Sequence, residues 1–128
     1  MHPLSPLEIA QSFIGEWAKG PDHLRQSFTD WLAKDVLYEN VGLTKATTRE
    51  EAYAVIDTFA PGLDHISVDM LAIVQDGERV FTERVDYLRM KDGSTLATIR
   101  LMGIFVVREG RIAEWRDYFH MAPPSTEG

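Results

Sequence analysis

Five polar residues of this chain have the types and spacing for proton-transfer chemistry: Asp86, Asp117, Arg84, Tyr38 and Asn40. Arg84 and Asp86 stand two apart within Glu83-Arg84-Val85-Asp86-Tyr87-Leu88-Arg89. On a strand, residues two apart share a face, so both project to the side of Val80, Thr82, Leu88 and Met90. In the last apolar run, Trp115, Asp117 and Phe119 share one face, and Glu114, Arg116, Tyr118 and His120 share the other. The first set reads as a core stripe with a carboxylate in its middle. Tyr38 and Asn40 share a face with Val36, opposite Leu37 and Glu39. A buried ionised carboxylate is costly without a partner, so Asp117 needs a companion or a shifted pKa. Carboxylates whose pKa values are pushed apart suit general acid and general base work.

Each residue also has an ordinary reading. An Arg/Asp pair on a strand whose two faces are both mixed is compatible with a surface salt bridge contributing about 0–1 kcal/mol. Asp117 beside Trp115 can be a structural carboxylate held by one backbone donor. Tyr38 alone suits a core and Asn40 alone a turn. The chemical reading gains because all five can converge in one cavity. Other constellations find no support. There is no cysteine, His2, His23, His65 and His120 are scattered, and no metal site is expected. No G-x-S-x-G elbow, phosphate loop or dinucleotide glycine fingerprint occurs.

The elements that must position these residues fit a single domain spanning 1–128, since 128 residues allow one good core. Thirteen Lys and Arg against 20 Asp and Glu give −7, which argues against nucleic acid as a partner. No run approaches 18 apolar residues and no secretory signal opens the chain, so no membrane association and a cytoplasmic location are expected. Ser5-Pro6-Leu7-Glu8 opens a helix that stops at Gly20-Pro21. A second helix is expected from Asp22 to about Ala33, then a short strand over 36–40. Thr47 and Thr48 open a third helix ending at Pro61-Gly62. Turn signals at Asp76-Gly77, Asp92-Gly93 and Glu109-Gly110 separate strands over 65–74, 79–90, 95–107 and 111–121. The tail 122–128 reads as loose. The fold class is α+β: a curved, mixed, largely antiparallel sheet covered by N-terminal helices. That order of elements resembles the conical fold shared by nuclear transport factor 2, ketosteroid isomerase and polyketide cyclases, with a cavity inside the cone.

Tyr38-Glu39-Asn40, Glu83 to Arg89, and Leu101-Met102-Gly103-Ile104-Phe105 running on to Glu109 through Phe119 together resemble the limonene-1,2-epoxide hydrolase family. The resemblance covers most of the chain and is densest from 83 to 119. The ending Gly-x-Ile-x-x-Trp-Arg-Asp-Tyr-Phe is widespread among conical folds; Tyr-x-Asn, Arg-x-Asp and a late Asp in that order are more specific.

The resemblance implies a cofactor-free epoxide hydrolase that forms a vicinal diol in one step. Asp117 would withdraw a proton from a water held by Tyr38 and Asn40. Asp86 would protonate the epoxide oxygen, and Arg84 would lie between the carboxylates. Leu88 and Phe119 share parity with the two acids and should line the cavity; the resemblance adds Ile99 and Leu101. The implied partners are a small apolar epoxide, water and a second copy of the chain. Three alternatives remain open at this point: a proton-transfer enzyme like ketosteroid isomerase or a polyketide cyclase, intramolecular epoxide opening, and a non-catalytic binding dimer.

Overall fold

The structure, a computed structural model, describes residues 3–120; the tail expected to be loose lies outside them. Helix α1 covers Pro6–Glu16 and runs into a short 3₁₀ turn at Trp17–Lys19. The Ser5 hydroxyl accepts from the Glu8 backbone N–H at 3.1 Å, and the Glu8 carboxylate accepts from the Ser5 N–H at 2.9 Å. Two orphan donors are thereby satisfied, which contributes about 1 kcal/mol. Helix α2 covers Pro21–Trp31, strand β1 Leu32–Asn40, strand β2 Thr44–Ala46 and helix α3 Arg49–Phe59. Strands β3 (Leu63–Asp76), β4 (Arg79–Met90), β5 (Thr95–Arg108) and β6 (Arg111–Phe119) complete the chain.

The four long strands form the expected antiparallel meander, and β1 joins its far edge parallel to β6, giving the order β2-β1-β6-β5-β4-β3. The mixed α+β class expected from the sequence is the one observed. Two-residue turns connect β3 to β4 and β5 to β6. In the second, both Glu109 (φ 54°) and Gly110 (φ 77°) are left-handed, as hairpins with primed turns require.

Four local readings need correction. Helix α2 ends at Trp31, short of Ala33, because the Leu32 backbone is already extended and pairs with Ile112 on β6. The chain's carbonyls there are taken by arginines from elsewhere: Arg111 donates to Thr29, Asp30 and Leu32, and Arg49 to Thr29 and Leu32. Strand β1 is accordingly longer than 36–40. Strand β2 was not anticipated, since three residues carry too little pattern. Strand β6 ends at Phe119, leaving His120 outside it and exposed.

One face of the sheet packs against α1 and α2. Phe13 meets Trp115 edge-on at 5.1 Å between ring centroids, and Trp17 stacks on Trp115 at 5.4 Å. Ile9, Ala10, Leu24 and Phe28 from the helices close over Val36, Val80, Phe105 and Ile112 from the sheet. Burying such side chains stabilises the fold by about 1.5–3 kcal/mol for each large one. No helix among the described residues is long and apolar enough to cross a membrane.

Candidate active site

Six residues lie on one register row across the sheet: Thr44, Asn40, Asp117, Gly103, Thr82 and Ile73. Arg84 and Asp86 follow Thr82 on the same face of β4. The period-two pattern places their side chains inward, where Arg84 is fully buried and Asp86 and Asp117 are 6% and 5% exposed. The surface salt-bridge reading of Arg84 and Asp86 is therefore corrected. The two faces of β4 are cleanly sorted, with Val80, Thr82, Arg84, Asp86 and Leu88 all buried.

Arg84 lies between the two acids. Its Nε donates to Asp86 Oδ1 at 2.9 Å, and its Nη2 donates to Asp117 Oδ1 and Oδ2 at 3.0 and 3.1 Å. Its Nη1 donates to Thr82 Oγ1 at 2.8 Å. The Trp115 indole Nε1 adds a third hydrogen bond to Asp117, at 3.1 Å. Asp117 is thus held by side chains rather than by the single backbone donor of the ordinary reading. Asn40 spends both amide hydrogens, donating to Tyr38 Oη at 3.0 Å and Thr44 Oγ1 at 2.9 Å. That leaves the Asn40 carbonyl oxygen as an acceptor. The Tyr38 ring stacks on Trp115 with centroids 3.9 Å apart, which fixes the phenol edge.

A cavity of about 300 Å³ opens above this set. Tyr38, Asn40, Asp86 and Asp117 all face it, together with Leu88 and Phe119, expected there from strand parity, and Ile99 and Leu101, expected from the resemblance. Arg84 does not line it but sits behind the two carboxylates. The helical wall was missed: Trp17 comes from the 3₁₀ turn after α1, Leu24 and Phe28 from α2, and Val55 and Ile56 from α3. Their helical spacing marks an inner face, but it does not tell which part lies over a cavity rather than over core. Thr82 and Thr44 were missed as well, since a hydroxyl on a strand has no distinctive spacing. Gly103 did carry a signal, because a glycine inside a strand marks a close approach. Among the described residues no cluster of three or more His, Asp or Glu side chains is arranged to hold a metal.

Burial raises the Asp86 pKa to about 6; Arg84 pulls it down and Asp117 pushes it up. Burial also raises Asp117, against the pull of Arg84 and Trp115. Hydrogen bonding separates the two. Three bonds from Arg84 and Trp115 reach Asp117 while one reaches Asp86, so hydrogen bonding favours the charged form of Asp117 more than that of Asp86. Burial alone would depress Arg84, but the two carboxylates outweigh it and keep the guanidinium charged. Burial, with Asp117 nearby, holds the Tyr38 phenol well above its usual range, so it keeps its proton. One guanidinium neutralises one carboxylate, and the buried trio is neutral when the other carries a proton.

Residues 22–123 match the family described as limonene-1,2-epoxide hydrolase catalytic domain. The chain belongs to this family. It is 34% identical over 88 residues to the epoxide hydrolase EphG of Mycobacterium tuberculosis; the match covers 69% of this chain and 57% of the length of that relative. The chain therefore aligns with little more than half the length of this curated relative. Among solved structures it is similar to an LEH-like epoxide hydrolase of M. tuberculosis, with a TM-score of 0.75 and 25% identity over 90% of this chain and 82% of that one. A SnoaL-like polyketide cyclase from Jannaschia shares the fold, at TM-score 0.72 and 14% identity over 93% and 91% of the two chains.

Proposed function

We propose that this member of the limonene-1,2-epoxide hydrolase family opens small-to-medium apolar epoxides to vicinal diols, without a cofactor, by direct attack of water. The observation that carries this is a buried arginine hydrogen-bonded to two carboxylates that both face one apolar cavity.

Opening the ring requires a nucleophile from one side and a proton for the departing oxygen. Asp117, the ionised acid, takes a proton from water as that water bonds to an epoxide carbon. The Asn40 carbonyl oxygen accepts a hydrogen bond from the other O–H of the water, which stays on the water oxygen, and the Tyr38 hydroxyl donates to that oxygen. Asp86, the protonated acid, delivers its proton to the epoxide oxygen as the C–O bond breaks. Atoms balance: water and epoxide become a diol, and the pair has exchanged the site of its proton. Each acid–base group is expected to contribute about 10²–10⁴-fold, and the held water adds its positioning. The apolar walls exclude bulk water and thereby sustain the raised Asp86 pKa. The same walls select against charged substrates.

The protein is further expected to act as a homodimer. The outer face of the sheet exposes Leu71, Met102 and Tyr118 beside Glu83 and Arg100, an apolar patch with both charges, which suits a self-complementary two-fold contact. Sedimentation of the purified chain checks this; a monomer at micromolar concentration contradicts it.

The activity is tested by incubating purified protein with terpene, cyclohexene and styrene-type epoxides, with Asp86→Asn and Asp117→Asn in parallel. Diol is expected from the wild type in the presence of chelator, with at least ~10²-fold loss in each variant. Variants that keep the wild-type rate contradict the assigned roles.

A further inference from the structure

Thr82 is 1% exposed, yet it carries a hydroxyl on a strand where Val80, two residues earlier on the same face, shows that valine is accommodated. A buried hydroxyl is unfavourable unless it is hydrogen-bonded. This one is fully used: it donates to the Gly103 carbonyl oxygen at 3.1 Å and accepts from Arg84 Nη1 at 2.8 Å. The first bond fixes where the hydroxyl oxygen points. The second leaves each of the three guanidinium nitrogens with its own acceptor: Asp86 on Nε, Thr82 on Nη1, Asp117 on Nη2. Thr82 is the neutral member of the three, so it sets the direction of the guanidinium without adding charge. Gly103 makes room for the arrangement, since a Cβ there would overlap Arg84 Nη1 and lie 2.7 Å from Asp117 Oδ1.

We infer that Thr82, anchored on Gly103, is a positioning residue: it holds Arg84 so that one hydrogen bond goes to Asp86 and two go to Asp117. This rests on the proposed reaction, in which the two acids have different tasks. Without the hydroxyl, Nη1 is unpaired in a dry site, and Asp117 Oδ1, which flanks the same space over Gly103, is the acceptor beside it. The guanidinium then turns its Nη1/Nη2 end onto Asp117 and withdraws Nε from Asp86. Asp86 loses the hydrogen bond from Arg84, its only donor among the described residues. The titratable groups around Asp86 are Arg84 on its own strand, Asp117 on β6 and Tyr38 on β1. The paired positions on β3 and β5 are the apolar Val68 and Ile99, and the described helical segments bring no titratable side chain to the cavity.

The test compares wild type with Thr82→Val, Thr82→Ala and Thr82→Ser, following the Asp86 carboxyl by ¹³C NMR as pH is varied and measuring epoxide kinetics alongside. Two hydroxyl-free variants are used so that poor folding of one does not decide the outcome. In both, the Asp86 midpoint should rise by about half a unit to one unit. The kcat should fall about 10–100-fold with little change in KM, and serine should restore both. A midpoint that stays or falls in the hydroxyl-free variants overturns the inference, as does a serine variant as impaired as valine. The titration needs no substrate. If wild type turns over no epoxide, the proposed reaction fails while the midpoint still judges Thr82.

Discussion

Arg84 lies over Gly103, in the space a side chain would occupy: a Cβ at Gly103 would overlap Arg84 Nη1 and sit 2.7 Å from Asp117 Oδ1 and 3.0 Å from Thr82 Oγ1. A glycine in the middle of β5 is what lets an arginine on β4 reach a carboxylate on β6. Replacing Gly103 by alanine should displace Arg84, lower kcat by at least about 10²-fold and destabilise the fold by about 1–3 kcal/mol. Steady-state kinetics and urea unfolding check both; an alanine variant of wild-type rate and stability contradicts the crowding.

The pH dependence follows from Asp86. The active form needs this acid protonated, a form present below about 6 and lost above it, so kcat should decline on the alkaline side through that region. Stability follows the same sign. A carboxyl raised from 3.8 unfolded to about 6 folded stabilises the protein below 3.8, and the contribution is lost as pH climbs through 6, on the order of 3 kcal/mol. Asp86→Asn removes that loss. Relative to wild type, the asparagine variant should gain stability between pH 4 and 7 while being nearly inactive, and urea titrations across that range measure it.

Among the described residues, Arg84 is the only positive charge joined to the two buried acids. Arg84→Met leaves two carboxyls facing each other without it. The expected cost at neutral pH is about 3–5 kcal/mol, shrinking in acid as both carboxyls take up protons. Thermal unfolding at acidic and neutral pH distinguishes this from a simple packing defect, which would not vary with pH.

Tyr38→Phe keeps the ring stacked on Trp115 and removes only the hydroxyl that accepts from Asn40. Stability should fall by about 1 kcal/mol, while kcat drops about 10-fold or more because the attacking water loses a partner. Equal rates for the two proteins would remove Tyr38 from the water site.

Much of this arrangement is legible in the sequence because strand parity is strict. Period two alone puts Arg84 beside Asp86 and Asp117 between Trp115 and Phe119, and the Gly-containing turns give the meander. Parity cannot tell which face of β4 is buried when both carry charges, and that depends on α1 and α2 covering one side. Neither could the parallel pairing of β1 with β6 be read from local pattern, yet that pairing brings Asn40 level with Asp117. The end of α2 was misplaced for a related reason: its terminal carbonyls are satisfied by Arg49 and Arg111, far away in the chain.

Water attacking carbon directly, with both acids acting only on protons, is tested most directly by a single turnover in ¹⁸O-water with enzyme in excess. The label should appear in the diol and none in the protein. Label found in the carboxyl of Asp86 or Asp117, with unlabelled diol from the first turnover, would mean a covalent ester intermediate and would contradict the account.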